Sequence, residues 1–149
     1  MLPYFSVVIP CYNRADTVLP TLKSVQDQYF SDFECIIVDD GSNDAEKLKS
    51  VIESLEDPRF RYIWRENGGG SAARNTGIAA SKGKYVAFLD SDDLFISNKL
   101  NVVYNLCKNE NYDVYSSYVL VDRGNGVWGK KPSRPFFKNE HIDEYLFSQ

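Results

Sequence analysis

Residues 83–93, GKYVAFLDSDD, run from a glycine through a short apolar stretch into a cluster of three carboxylates. The run Lys84 to Leu89 is too short for a helix and rich in β-formers, so it reads as a buried strand stopped by Asp90-Ser91-Asp92-Asp93. Working outward, the same signature recurs at residues 5–9 (FSVVI, ending at Pro10), 33–39 (FECIIVD) and 60–64 (FRYIW). Helical periodicity fills the gaps. Residues 17–27 place Val18, Leu19, Leu22 and Val25 on one face, with Asp16 as the expected N-cap. Residues 45–55 carry a stripe of Leu48, Val51, Ile52 and Leu55. After Gly68, Gly69 and Gly70, Ser71 is the expected cap of a helix over 71–81, and Ser97 that of a helix over 97–109. Residues 113–122 read as extended, Gly124-Asn125-Gly126 as a turn and residues 140–147 as a last short helix. Strands alternating with helices predict an α/β fold, a mainly parallel Rossmann-like sheet covered by helices on both faces. Right-handed crossovers favour an order with strand 1 between strands 2 and 4, so three polar strand ends converge on one crevice.

Composition narrows the function classes. The chain has 149 residues, 43% of them hydrophobic, with a formal charge of -4. That size predicts a single domain, with residues 1–110, which hold the strand-end crevice, as its ligand-binding half and 111–149 as an ill-defined extension. An acidic balance argues against a nucleic-acid partner. No run approaches the roughly 18 apolar residues of a membrane span, and the start MLPYFSVVIP lacks the features of a signal peptide. Cys11, Cys35 and Cys107 are odd in number and have no paired spacing, which predicts reduced thiols and a cytoplasmic setting.

The crevice residues carry the chemistry. Asp90 and Asp92, two apart after a buried strand, suit a hard divalent cation that shares its shell with phosphate and water; a solvated or helix-capping turn is the plainer alternative. Past strand 1, Tyr12, Asn13 and Arg14 offer an aromatic face, an amide and a cation for base and phosphate. Asp40, at the edge of the loop after strand 2, is expected to face the crevice and accept a base N–H, with Asp39 structural. The loop NGGGS (residues 67–71) leads into AARN, where backbone N–H groups face anions and Arg74 reaches a diphosphate. Asn75 and Gly77 are assigned to close packing. His141, Cys11, Asp143 and Glu144 form no visible nucleophile–base arrangement.

With those residues in hand, the chain resembles the N-terminal portion of an inverting family 2 glycosyltransferase of the GT-A fold. The matching stretches are SVVIPCYNR (residues 6–14), FECIIVDDGSND (33–44), NGGGSAARNTGI (67–78) and GKYVAFLDSDD (83–93). The resemblance implies a nucleotide-diphospho-sugar donor, commonly a UDP-sugar. Pro10, Tyr12 and Arg14 would line the nucleoside, Asp40 would take the base, and Arg74 would lie near the nucleotide. Asp90 and Asp92 would be the ends of a DxD signature, with Asp92 the direct ligand of Mn²⁺ or Mg²⁺ and Asp93 supporting it. It also implies a glycan or lipid-linked acceptor, polysaccharide assembly, and a cytoplasmic position peripheral to the inner membrane face.

Family members run on for about another hundred residues, consistent with a domain larger than this chain. That part is where the acceptor strands and the carboxylate base are expected, often as a Glu-Asp pair. No segment after Asp93 matches it, so the chain reads as truncated on its C-terminal side and the base stays unassigned. A binding fragment or interaction module without turnover is the alternative, one in which an exposed sheet edge pairs with another copy. A dehalogenase-type phosphatase would place Asp-x-Asp on strand 1. A nucleotidyltransferase needs a glycine- and arginine-rich loop after that strand, and a dinucleotide dehydrogenase needs Gly-x-Gly-x-x-Gly.

Overall fold

A computed structural model of the chain describes residues 2–108 and the backbone of residues 119–122 and 128–131. The elements in order are β1 (Phe5–Cys11), α1 (Leu19–Gln26), β2 (Phe33–Asp39), α2 (Ala45–Glu53), β3 (Phe60–Trp64), α3 (Gly70–Ala80), β4 (Tyr85–Phe88), α4 (Lys99–Cys107), β5 (Val119–Asp122) and β6 (Trp128–Lys131). The chain divides into two compact units, 1–110 and 111–149. In the first, four parallel strands lie in the order β3-β2-β1-β4. In the second, β5 and β6 form an antiparallel pair, Val119 facing Lys131 and Asp122 facing Trp128. Of these two strands the sequence predicted only the first, within residues 113–122. The expected turn at Gly124-Asn125-Gly126, the helix over 140–147, and His141, Asp143 and Glu144 lie outside the described residues.

The central strands β1 and β2 are buried on both faces because helices cover both. Phe5, Val7, Ile9 and Cys11 of β1, with Phe33, Cys35 and Ile37 of β2, pack with Val18, Leu22 and Val25 around α1, Leu48 and Ile52 of α2 and Leu100 of α4. On the opposite face Ile36 and Val38 meet Ala73 of α3. There α3 comes close to the sheet at Gly77, where an added Cβ would stand 2.3 Å from a methyl of Val8.

Several boundaries differ from the sequence reading, each for a local reason. β1 does not stop at Pro10 but runs to Cys11, with Pro10 paired to Val38. Val8 presents its polar groups to β4, accepting from Leu89 N–H, and Cys11 presents its own to β2, accepting from Asp40 N–H. By alternation Pro10 faces the β4 side, beyond the last β4 pair at Val8–Phe88, where no N–H is needed. α1 begins at Leu19, after Val18 rather than Asp16, whose carboxylate instead pairs with Lys47. Gly69, at φ 87, precedes α3 in place of Ser71, a backbone geometry that favours glycine. α4 starts after Asn98; the Ser97 carbonyl accepts from Tyr29 N–H at 2.9 Å. Leu19 and Asn75, expected to pack, are exposed.

Candidate functional site

The carboxyl ends of β1, β2 and β4 surround an open cleft of about 230 Å³. It is lined by Pro10, Cys11, Tyr12, Arg14, Asp40, Gly70, Ala73, Arg74, Asp90, Ser91 and Asp92. Seven of the eight residues predicted for the site therefore meet in one place, drawn from the end of β1 and the loop after it, the loops after β2 and β4, and the first turns of α3. Asn13 is the other. At φ 53 it turns the chain after β1; its N–H donates to Ser42 Oγ at 2.8 Å and its Oδ1 accepts from Asn43 N–H at 2.8 Å. With Ala15 N–H donating to Asp44 Oδ2 at 2.9 Å, these bonds tie the β1 and β2 loops together.

Asp39 and Asp40 divide their tasks. Asp39 is fully buried, accepting from Ser42 N–H at 2.9 Å and from the Tyr62 hydroxyl at 2.6 Å. Burial, and then this bond to Asp39, holds the Tyr62 phenol well above its usual range. Asp40 borders the cleft with a side chain only 4% exposed. Its carboxylate accepts from Arg65, from Gly68 N–H at 3.1 Å and from Gly69 N–H at 2.7 Å. Two N–H groups of the glycine loop, expected to await an external anion, thus serve an internal one. What the loop leaves to the cleft is the start of α3, through Gly70, Ala73 and Arg74.

Two cations face the two carboxylates. Arg14 donates to Asp92 at 3.3 Å and Arg74 donates to Asp90, with the two carboxylate side chains 59% and 52% exposed. Asp93 folds back, its N–H on the Asp90 carbonyl at 3.0 Å. Burial, and then the charges of Asp92 and Asp90, push its carboxyl above the usual range. Among the described residues no three His, Cys, Asp or Glu side chains group closely enough to cage an ion. The donor set of Asp90 and Asp92 instead fits an open hard-cation site completed by phosphate oxygens and water.

Burial, and then the charge of Asp39, push the Cys11 thiol up to about 12 despite Arg14 and a hydrogen bond from Ser91. It is a packed wall of the cleft and not a nucleophile at neutral pH. Ser91 is buried between the two exposed aspartates, and Thr21 reaches it from α1, its hydroxyl donating to the Ser91 carbonyl at 3.0 Å. The sequence reading missed Thr21 and Arg65. For Thr21 the available signal was a line of polar residues, Thr21, Ser24 and Gln28, continuing along a helix otherwise read for its apolar stripe.

The glycosyl transferase family 2 model matches residues 6–148. The chain belongs to that family. It is 35% identical over 152 aligned positions to the amylovoran biosynthesis glycosyltransferase AmsB of Erwinia amylovora, covering 96% of this chain and 50% of AmsB. Among solved structures, Staphylococcus aureus TarS (1–349) in complex with UDP-GlcNAc is 28% identical with a TM-score of 0.64, covering 70% of this chain and 31% of that one. The mannosyltransferase PcManGT of Pyrobaculum calidifontis, in complex with GDP-Man and Mn²⁺, is 25% identical with a TM-score of 0.57, covering 64% and 29%. The chain spans half or less of the length of the curated relatives it matches. No helix among the described residues is long and apolar enough to cross a membrane.

Proposed function

We propose that the cleft binds a nucleotide-diphospho-sugar, a UDP-sugar first, as the donor site of a metal-dependent inverting glycosyltransferase of polysaccharide assembly. The observation that carries this is the meeting of Arg14, Arg74, the N-terminus of α3 and the Asp90–Asp92 pair around one opening. Arg14 and Arg74 exchange their carboxylate partners for phosphate oxygens, an exchange that costs little because exposed ion pairs contribute only about 0–1 kcal/mol. The α3 N-terminus adds partial positive charge to the same wall. Tyr12, half exposed, offers its ring to the base beside Pro10. Asp40, at the edge of the cleft, would accept a base N–H on a lone pair left beside its bonds to Arg65 and the glycine loop. Mn²⁺ or Mg²⁺ on Asp90 and Asp92 would supply positive charge against the negative charge that grows on the departing diphosphate.

In this reading an acceptor hydroxyl, on a glycan or lipid-linked sugar, gives its proton to a base outside the residues assigned above and attacks the anomeric carbon from the face opposite the diphosphate; the carbon's bond to the diphosphate breaks, and the centre is inverted. The three carboxylates bordering the cleft, Asp40, Asp90 and Asp92, are each engaged by an arginine. That observation favours a second reading for this stretch of chain, donor binding without turnover of its own. For either reading we propose a cytoplasmic setting, at the membrane face where polysaccharide precursors are handled.

Calorimetric titration with UDP and with uridine, both in Mn²⁺, tests the donor assignment. UDP should bind at least about tenfold more tightly than uridine, because charge-assisted contacts to the diphosphate are the stronger ones. Equal affinities would remove the diphosphate from the reading.

A further inference from the structure

Thr21 and Ser24 of α1, with Gln28 just past its end, form one polar line facing the segment that follows Asp90. Thr21 is 1% and Gln28 6% exposed. Thr21 Oγ1 donates to the Ser91 carbonyl at 3.0 Å, and Ser24 Oγ accepts from Phe95 N–H at 3.1 Å. Gln28 Nε2 donates to the Ile96 carbonyl at 2.7 Å, and Gln28 Oε1 accepts from Leu100 N–H at 3.0 Å. Residues 91–98 contain no helix or strand, so their backbone groups depend on partners outside the segment. This line supplies three of them, and a fourth to Leu100 in the first turn of α4.

Ser91 is the peptide between the two aspartates. It is 8% exposed, whereas the carboxylates on either side reach into solvent. The Ser91 carbonyl belongs to the peptide that leads into Asp92, so the Thr21 bond orients the backbone carrying Asp92 and limits how that carboxylate stands relative to Asp90. We infer that Thr21 is a positioning residue for the Asp90–Asp92 pair, and that Ser24 and Gln28 secure the run leading to α4. Thr21 lies outside the cleft lining and acts through Ser91. The inference rests on the donor-site reading above and adds a residue to it.

The test uses the 149-residue chain and three variants. Thr21→Val keeps the shape and removes the hydroxyl, Thr21→Ser keeps the hydroxyl, and Ser24→Ala releases the Phe95 N–H. UDP affinity is measured with and without saturating Mn²⁺, and the ratio is the readout. Thr21→Val should lower the Mn²⁺ gain about tenfold, as loss of a residue that orients metal ligands does. Its metal-free UDP affinity should stay within about twofold of wild type, and Thr21→Ser should restore the gain. Should Thr21→Val fail to fold, Ser24→Ala carries the test, with the gain reduced about threefold, since it touches the turn less directly. A full Mn²⁺ gain in the variant that folds overturns the inference. So does an equal loss of metal-free and metal-dependent binding, or a Thr21→Ser chain that behaves like Thr21→Val. A wild-type chain that gains nothing from Mn²⁺ overturns the donor-site reading, and the inference with it.

Discussion

The guanidinium of Arg74, on α3, donates to the carboxylate of Asp90, two residues past β4, a cation and an anion from two elements that line one cleft. Both side chains are substantially exposed, at 38% and 52%. The pair therefore adds little to folding, and its placement matters more for what enters the cleft.

Arg74→Ala should leave the thermal midpoint within about 4 °C of wild type, the consequence of losing less than about 1 kcal/mol. UDP affinity in Mn²⁺ should fall about tenfold, a charge-assisted contact of roughly 1.5 kcal/mol. Melting curves and calorimetry on the same sample separate the two effects. A large drop in stability with unchanged affinity would make Arg74 a structural residue.

Asp40 is the converse case, a buried carboxylate on which Arg65 and two glycine N–H groups converge. Asp40→Asn removes the charge and turns one acceptor into a donor facing donors. The expected cost is about 2–3 kcal/mol in urea unfolding. Hydrogen exchange at the Gly68 and Gly69 amides should accelerate before that of the β2 amides. Unchanged protection at those two glycines would mean that Asp40 does not hold the loop.

Gly77→Ala tests the approach of α3 to the sheet. Alanine favours a helix by about 1 kcal/mol over glycine, yet its Cβ would overlap a methyl of the fully buried Val8. Overpacking costs roughly 1–3 kcal/mol, so the variant should be net destabilised in denaturant unfolding. The double variant Gly77→Ala with Val8→Ala should recover part of the loss; a Gly77→Ala chain more stable than wild type would contradict the packing.

Much of the fold was legible because the strands of a two-sided parallel sheet are continuous apolar runs, and β2 and β3 began and ended where those runs do. Helix starts were not. Asp16 and Ser71 have the right chemistry for caps, but Lys47 and the positive φ of Gly69 decided the local geometry, and neither is visible in a window of adjacent residues. The cleft was readable from strand ends and topology. The partner of Asp40 was not, because Gly69 lies 29 residues away and meets it only through a loop conformation. Thr21, 70 residues from Ser91, was hidden for the same reason.

Stability should fall with acid. Burial alone pushes the Glu34 carboxyl up, but the Ser6 hydroxyl, the Lys82 N–H and Arg61 outweigh it and hold it below its ordinary range. Arg59 does the same for Asp57 against burial. Both groups bind protons more readily when unfolded, so their contribution is complete above the unfolded carboxylate range near about pH 4 and is lost as pH falls through the lower folded values. Glu34→Gln should cost about 1–3 kcal/mol at pH 7, with the gap to wild type narrowing in melts below about pH 4. A gap that stays constant with pH would show that Glu34 is not held ionised by its partners.

The most direct measurement is the titration of UDP into the folded chain with and without Mn²⁺, repeated on Asp92→Ala. The account predicts that Mn²⁺ tightens wild-type binding by about tenfold or more, and that Asp92→Ala, folded by circular dichroism, loses that gain. Wild-type binding indifferent to Mn²⁺, or a gain that survives in Asp92→Ala, would contradict the assignment of Asp90 and Asp92 as the cation-holding pair of a donor site.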